Sequence, residues 1–487
     1  MINRTIYTIF FLAATACSPS RAGSGDVPDA DVPDADVPDA GSDGATVGDP
    51  VLLWPGSSPW DDYYWNFTWV KGIAVNGTRV GLTVAGTCCD DPIPFDDPFL
   101  GALSNSCACT ALLTFPWDSP DQLYLGHYQY KDVLLGPPEE FNGDIFNRRS
   151  RAVVFPDGNG FFTADSADIL LDIGVFPLYP PVLTRWSASA ETAEGPAAFE
   201  SAYSFPFHGA SQWRWNPVGP WSENGSVSMG VFWGPENQPP DYLQDFYFQI
   251  DRYGTDGGVE NVLLETYPAN TVYPDDAPSD FEIRGAGIDN GTFLWGDRLT
   301  VVYVTGLGLF VGQATTAGEV TIPPQRTVPV PEGYHLFDDA VAQQIDDQIT
   351  VVARELNPDL VDISQTTSFF SIVIDMDGNL VDGPTQVWER WAEDPAGGDF
   401  RDLAWSGQYL GYCFEGARFM ALDRNGHPLG GPWVYGDGGE NIEGEHLRSN
   451  CATVAIDEDT FAVAWSDRFG DESGIYYTTI DVTVPPE

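Results

Sequence analysis

The residues best suited to chemistry stand between 375 and 382. Asp375, Asp377, Asn379 and Asp382 are spaced as D-x-D-x-N-x-x-D around Gly378. Alternating carboxylates about a glycine offer a hard cation several oxygens in one tight loop, which is what calcium takes. No Glu follows at the place where an EF-hand supplies its bidentate ligand. Asp375 also occupies the position of Asp251, Asp423 and Asp481 in three related phrases that lack the other ligands. An Asp there serves equally well as a hairpin-turn former. Calcium is therefore a possible cofactor, and no other is indicated.

Other catalytic constellations do not form along the chain. Five histidines occur, His127, His208, His335, His427 and His446, with no H-E-x-x-H and no pair at metal spacing. There is no G-x-S-x-G elbow and no phosphate-binding G-x-x-x-x-G-K-[ST] loop. Carboxylates are too numerous for any pair to be singled out as acid and base. Trp54, Trp60, Tyr63, Tyr64, Trp65, Phe67 and Trp69 form one aromatic group, and Trp213, Trp215 and Trp221 a second. Flat rings flanked by Asp suit stacking on sugars, and they suit packing between sheets as well.

The cysteines are Cys17, Cys88, Cys89, Cys107, Cys109, Cys413 and Cys451. Arg4, an apolar run from Ile6 to Ala16 and the small residues Ala14-Thr15-Ala16 before Cys17 have the form of an export signal. The run is too short to span a bilayer as a helix. These residues resemble a bacterial lipobox, with Ala14 where Leu is usual. The resemblance implies that residues 1–16 are removed and that Cys17 is acylated. Six cysteines then remain in an oxidising setting. Cys88 and Cys89 are expected to bridge to Cys107 and Cys109 in one of two ways, because adjacent cysteines rarely pair. Cys413 and Cys451 are expected to join each other.

Residues 17–50 read as an acidic tether. Asp-Val-Pro-Asp-Ala repeats three times from Asp26, Asp31 and Asp36, and eight Asp lie between 26 and 49. Proline and like charge extend such a chain, which cannot bury a core. Acidic tethers after a lipobox resemble those of bacterial surface lipoproteins, so export to the outer membrane or cell surface is implied. Contact with the membrane would be through the lipid alone.

From residue 51 to 487 the chain repeats itself. Seven turns rich in Gly and Asx feed alternating strands, at Asn76-Gly77, Asp157–Gly160, Asn224-Gly225, Gly296-Asp297, Asp346-Asp347, Ser406-Gly407 and Glu458-Asp459. A second phrase, an apolar run ending in Asp, follows in most units: at 246–254, 370–378, 419–426 and 476–481. Two hairpins per unit make four strands, which predicts an all-β fold, a propeller of about seven four-stranded blades. Tandem β-sandwiches are the alternative. The later units resemble degenerate propeller repeats of bacterial extracellular proteins, without the markers of a named family.

Composition excludes one class of partner. The formal net charge is −51, with 21 Lys and Arg against 72 Asp and Glu. No basic patch offsets that field, so nucleic acid is not expected as a partner. What remains is an unknown extracellular ligand or protein: a binding module, or alternatively a hydrolase or lyase acting on extracellular carbohydrate with carboxylates in the channel.

Overall fold

A computed structural model describes residues 44–55, 66–87, 108–129, 152–166, 181–190, 193–198, 216–222, 225–233, 245–254, 259–268, 292–295, 298–305, 308–315, 317–329, 336–356, 366–389, 402–414, 417–436, 451–467 and 474–485. They form twenty-nine strands in seven antiparallel sheets. Blade 1 is Asn66–Asn76, Arg79–Thr87, Ala108–Pro116 and Tyr124–Gln129; blade 2 is Ala152–Asp157, Gly160–Ser166, Pro181–Trp186 and Ala193–Ala198. Blade 3 is Asn216–Ser222, Gly225–Trp233, Asp245–Gly254 and Val259–Pro268; blade 4 is Thr292–Trp295, Arg298–Thr305, Gly308–Thr315 and Val320–Pro329. Blade 5 is Leu336–Ile345, Gln348–Leu356, Thr366–Asp375 and Leu380–Glu389; blade 6 is Asp402–Trp405, Leu410–Phe414, Arg418–Leu422 and Pro428–Val434.

Blade 7 draws on both ends of the chain. Cys451–Ala455, Thr460–Asp467 and Gly474–Val482 supply three strands, and Ala45–Val47 with Val51–Pro55 runs antiparallel along the third as its fourth. The fold therefore begins before the boundary at residue 51 that composition suggested. Val47 pairs with Ile480, and Thr478 Oγ1 donates to the Gly48 carbonyl at 2.8 Å. The tether composition hides this because Thr46 and Val47, good strand formers, sit among Gly and Asp.

Each blade touches the next, and blade 7 touches blade 1, so the sheets close into a ring. This is a β-propeller of seven blades, and the sandwich alternative is set aside. In blade 7 the strand 45–55 covers the edge of Gly474–Val482 and becomes the short outer edge of that sheet. All seven turns anticipated from Gly and Asx residues join a first to a second strand. Gly77 shows why they are glycine-rich: its φ is +60°, and a Cβ there would meet open space, so conformation and not crowding selects it.

The core lies between blades. Between blades 7 and 1, Leu53, Val84, Phe115, Ile475 and Tyr477 are buried in one cluster. Between blades 6 and 7, Phe419, Phe461, Val463 and Ile480 form another. Burying each large side chain is worth roughly 1.5–3 kcal/mol. Gly411 lets the blades approach: a Cβ there would lie 2.6 Å from the Phe461 ring.

The two ends of the blades differ. First-to-second turns span two to four residues, 77–78 in blade 1 and 456–459 in blade 7. Third-to-fourth turns open on the same face and run from 376–379 in blade 5 to 117–123 in blade 1. The strand ends of the opposite face are joined by stretches that run from two residues, 306–307 in blade 4, to the far longer 88–107, 130–151 and 269–291.

Candidate functional site

The Asp-rich stretch forms the third-to-fourth turn of blade 5. Asp375 Oδ1 accepts from the amides of Asp377 at 2.9 Å and Asn379 at 2.8 Å, and Oδ2 accepts from Asn379 Nδ2 at 2.9 Å. Desolvation raises the Asp375 carboxyl, but the hydrogen bonds from Asn379, Asp377 and Gly378 outweigh it and hold the group below its ordinary value. Asp377 points to solvent, 4.0 Å from Arg298 of blade 4. Asp382 Oδ1 accepts from the Gly383 amide at 2.7 Å, and its Oδ2 lies 3.0 Å from His427 Nε2. The four residues thus face three directions and do not converge as a calcium shell requires. Among the described residues no group of three or more His, Cys, Asp or Glu is placed to hold a metal ion.

The same turn recurs in blade 6. Asp423 Oδ1 accepts from the amides of Asn425 and His427, each at 2.8 Å. Each turn docks on the preceding blade. Thr350 Oγ1 donates to the Arg424 carbonyl at 2.8 Å, and Gln313 Nε2 to the Met376 carbonyl at 3.2 Å. His427 sits between carboxylates of two blades, Nδ1 3.1 Å from Asp423 and Nε2 3.0 Å from Asp382. The repeat of Asp-x-x-Gly at 375–378 and 423–426 was visible in the sequence; its use as a clasp between blades was not.

At the opposite ends of blades 6 and 7 the strands carry a second polar group. Asp402 opens the inner strand of blade 6. Its Oδ1 accepts from the Leu403 amide at 2.9 Å, and its Oδ2 crosses to the Thr453 amide of blade 7 at 3.0 Å. Desolvation pushes this carboxyl up to about 7, against the lowering effect of the two amides. Directly opposite Asp402, Cys413 is joined to Cys451, with Cα atoms 6.2 Å apart. Cys413 pairs with Asp402 in the ladder of blade 6, so both side chains lie on one face of that sheet. The bridge ties the second strand of blade 6 to the inner strand of blade 7. Asp402 escaped the sequence reading; an Asp leading the otherwise apolar Leu403-Ala404-Trp405 was the available signal.

Several expected site residues fall elsewhere. Cys17, Cys88, Cys89 and Cys107 lie outside the described residues, while Cys109 stands in the third strand of blade 1 opposite Gly86. Trp54 packs on the core between blades 7 and 1, and Trp60, Tyr63, Tyr64, Trp65, Trp213 and Trp215 lie outside the described residues. Phe67 and Trp69 belong to the inner strand of blade 1, and Trp221 to that of blade 3.

No family model and no curated protein matches the chain. Solved structures do. The polysaccharide lyase Uly1 is similar at 8% identity with a TM-score of 0.44, covering 89% of this chain and 97% of its own. Trypanosoma rangeli sialidase is similar at 10% identity with a TM-score of 0.42, covering 90% of this chain and 59% of its own. A Dyadobacter fermentans protein of unknown function is similar at 8% identity with a TM-score of 0.38, covering 90% of this chain and all of its own. The propeller assignment rests on this chain's strand order and ring contacts.

Proposed function

We propose that the protein is an exported, lipid-anchored propeller that binds an extracellular ligand or protein through the face opposite the short hairpin turns. The observation that carries this reading is the asymmetry of the ring. One face is built from turns of a few residues clasped blade to blade, and the strand ends of the other are joined by stretches of up to 23 residues at 269–291. A rigid scaffold that spends its variable length on one face commonly carries its function there. The formal charge of −51 argues against nucleic acid as that partner. The lipid is proposed from Ala14 to Cys17, and labelling with a palmitate analogue tests it: label kept in a Cys17→Ser variant refutes the anchor.

A second reading is a hydrolase or lyase acting on extracellular carbohydrate. Asp402 favours it, since a carboxyl raised toward neutrality suits a general acid. Asp402 ranks below the binding reading because both its oxygens already accept backbone amides. The mature chain incubated with neutral and anionic polysaccharides separates the two. Retention on the polymer without new chain ends supports binding. New reducing or unsaturated ends, lost in Asp402→Asn, support catalysis.

A further inference from the structure

The chain enters the propeller on the hairpin face, at the rim of blade 7. Ala45 pairs with Val482, where the third strand of that blade ends. The amides of Thr483 and Val484 donate to the Gly44 carbonyl at 2.8 and 3.2 Å, which stitches the entering segment to the leaving one. The Tyr409 hydroxyl donates to the Val484 carbonyl from the first-to-second turn of blade 6, at 2.6 Å. From there the fourth strand runs to Pro55, which pairs with Gly474 at the other end of the blade. Given the lipid anchor proposed at Cys17, on which this inference rests, we propose that the anchored protein stands with its hairpin face toward the membrane. The opposite face is then offered outward, to a ligand arriving from the medium rather than to a component of the same membrane.

The point of attachment is firm. Val47 pairs with Ile480, and Thr478 Oγ1 donates to the Gly48 carbonyl, so the entering strand is held along its length. The two faces are well separated: a strand such as Arg79–Thr87 spans about 30 Å. Residues 17–43, extended by proline and like charge, reach about 80 Å at most. Such a tether lets the domain tilt, but the bilayer excludes the body of the domain, so on average the attached rim is the nearer one. Charge keeps that rim from lying flat on lipid. Asp346, Asp347, Glu458 and Asp459 are exposed on hairpin turns, and Arg298 and Arg424 offset only part of their field. Like charge on anionic headgroups repels them over a Debye length of about 8 Å.

The test is energy transfer to a membrane. The mature full-length protein, isolated from membranes, is reconstituted into anionic vesicles that carry an acceptor dye at the headgroups. A donor fluorophore is attached through a click-reactive residue placed at 347 or at 434. Asp347 is exposed in the first-to-second turn of blade 5, and Val434 is exposed at the opposite end of blade 6. Transfer from position 347 should exceed that from 434 by about twofold or more, given faces about 30 Å apart. Removing residues 26–40, the three Asp-Val-Pro-Asp-Ala repeats ahead of the first strand, should raise transfer from 347 more than from 434. Equal transfer, or more from 434, on vesicles that hold the protein overturns the orientation and leaves the anchor standing. Protein recovered without lipid, which does not float with vesicles, overturns the anchor and the orientation with it.

Discussion

Blade 7 is held on its two sides by different means. Toward blade 1 the contact is mainly apolar, with one hydrogen bond: the Phe115 and Tyr477 rings meet edge to face at 4.9 Å, and the Tyr477 hydroxyl donates to the Trp117 carbonyl at 3.1 Å. Toward blade 6 it is apolar, polar and covalent. The Phe419 and Phe461 rings lie 5.2 Å apart, Ser406 donates to the Glu458 carbonyl at 2.7 Å, Tyr409 donates to the Val484 carbonyl at 2.6 Å, and the disulfide crosses beside Asp402. The blade 6 side joins residues that are near in sequence. The blade 1 side joins the beginning of the chain to its end, where the entropy of closing the loop is greatest. The tether-proximal strand 45–55 performs that closure, and among the described residues no disulfide supports the side with the most distant contacts.

The largest effect should come from removing that strand. A chain lacking residues 44–55 leaves the third strand of blade 7 with an open edge and removes Leu53 from the core. We predict loss of cooperative thermal unfolding and binding of a hydrophobic dye. A sharp transition near the native temperature would mean that blade 7 closes without its fourth strand.

Next is Phe115→Ala, which should cost about 3–5 kcal/mol because the side chain is wholly buried. Phe461→Ala opens a cavity of the same kind on the blade 6 side. Denaturant midpoints would compare them. If the disulfide restrains its seam against collapse or opening, the two losses should differ; equal losses would erase the distinction drawn between the two sides.

Replacing both Cys413 and Cys451 by Ala should cost about 4 kcal/mol, less any strain, for a separation of 38 residues. The measurement is denaturant unfolding of the non-reduced proteins. A change below about 1 kcal/mol would show that the apolar cluster and the Asp402 contact already fix the seam. Native peptide mapping that found Cys413 bridged to the 88–109 group would break the comparison altogether.

The approximate blade count and the first hairpin of each blade were legible because hairpin turns need positive φ, and Gly and Asx residues mark such positions in the sequence. Period-two alternation then set the strand faces, and the place of Cys413 at the end of one strand and Cys451 at the start of the next brought them together. The site was less legible. Asp375 looks like a ligand in one dimension, and only hydrogen-bond geometry shows its oxygens committed to its own turn. Asp402 and Thr453 lie 51 residues apart and meet only because blades 6 and 7 are neighbours. Val47 could not be assigned without knowing that Ile480 waited for a partner.

The smallest expected effect concerns calcium and the clasp on the hairpin face. Asp375 serves the turn of blade 5 as a hydrogen-bond acceptor, and its carboxyl is held below the ordinary 3.8. A depressed carboxyl contributes stability that is present above its ordinary value and is lost as pH falls through the folded one. Asp457 in blade 7 is also depressed, with the amides of Asp459 and Thr460 outweighing its desolvation. The hairpin face should therefore loosen in acid. Amide exchange of Asn379 and Thr460, corrected for the intrinsic rate, should quicken below about pH 4. Excess calcium or chelator should move the melting temperature by no more than a few degrees, since Asp375, Asp377 and Asp382 do not converge. A large rise with calcium that vanishes in Asp377→Ala would show that the turn rearranges into a cage, and the clasp would then be a cation site.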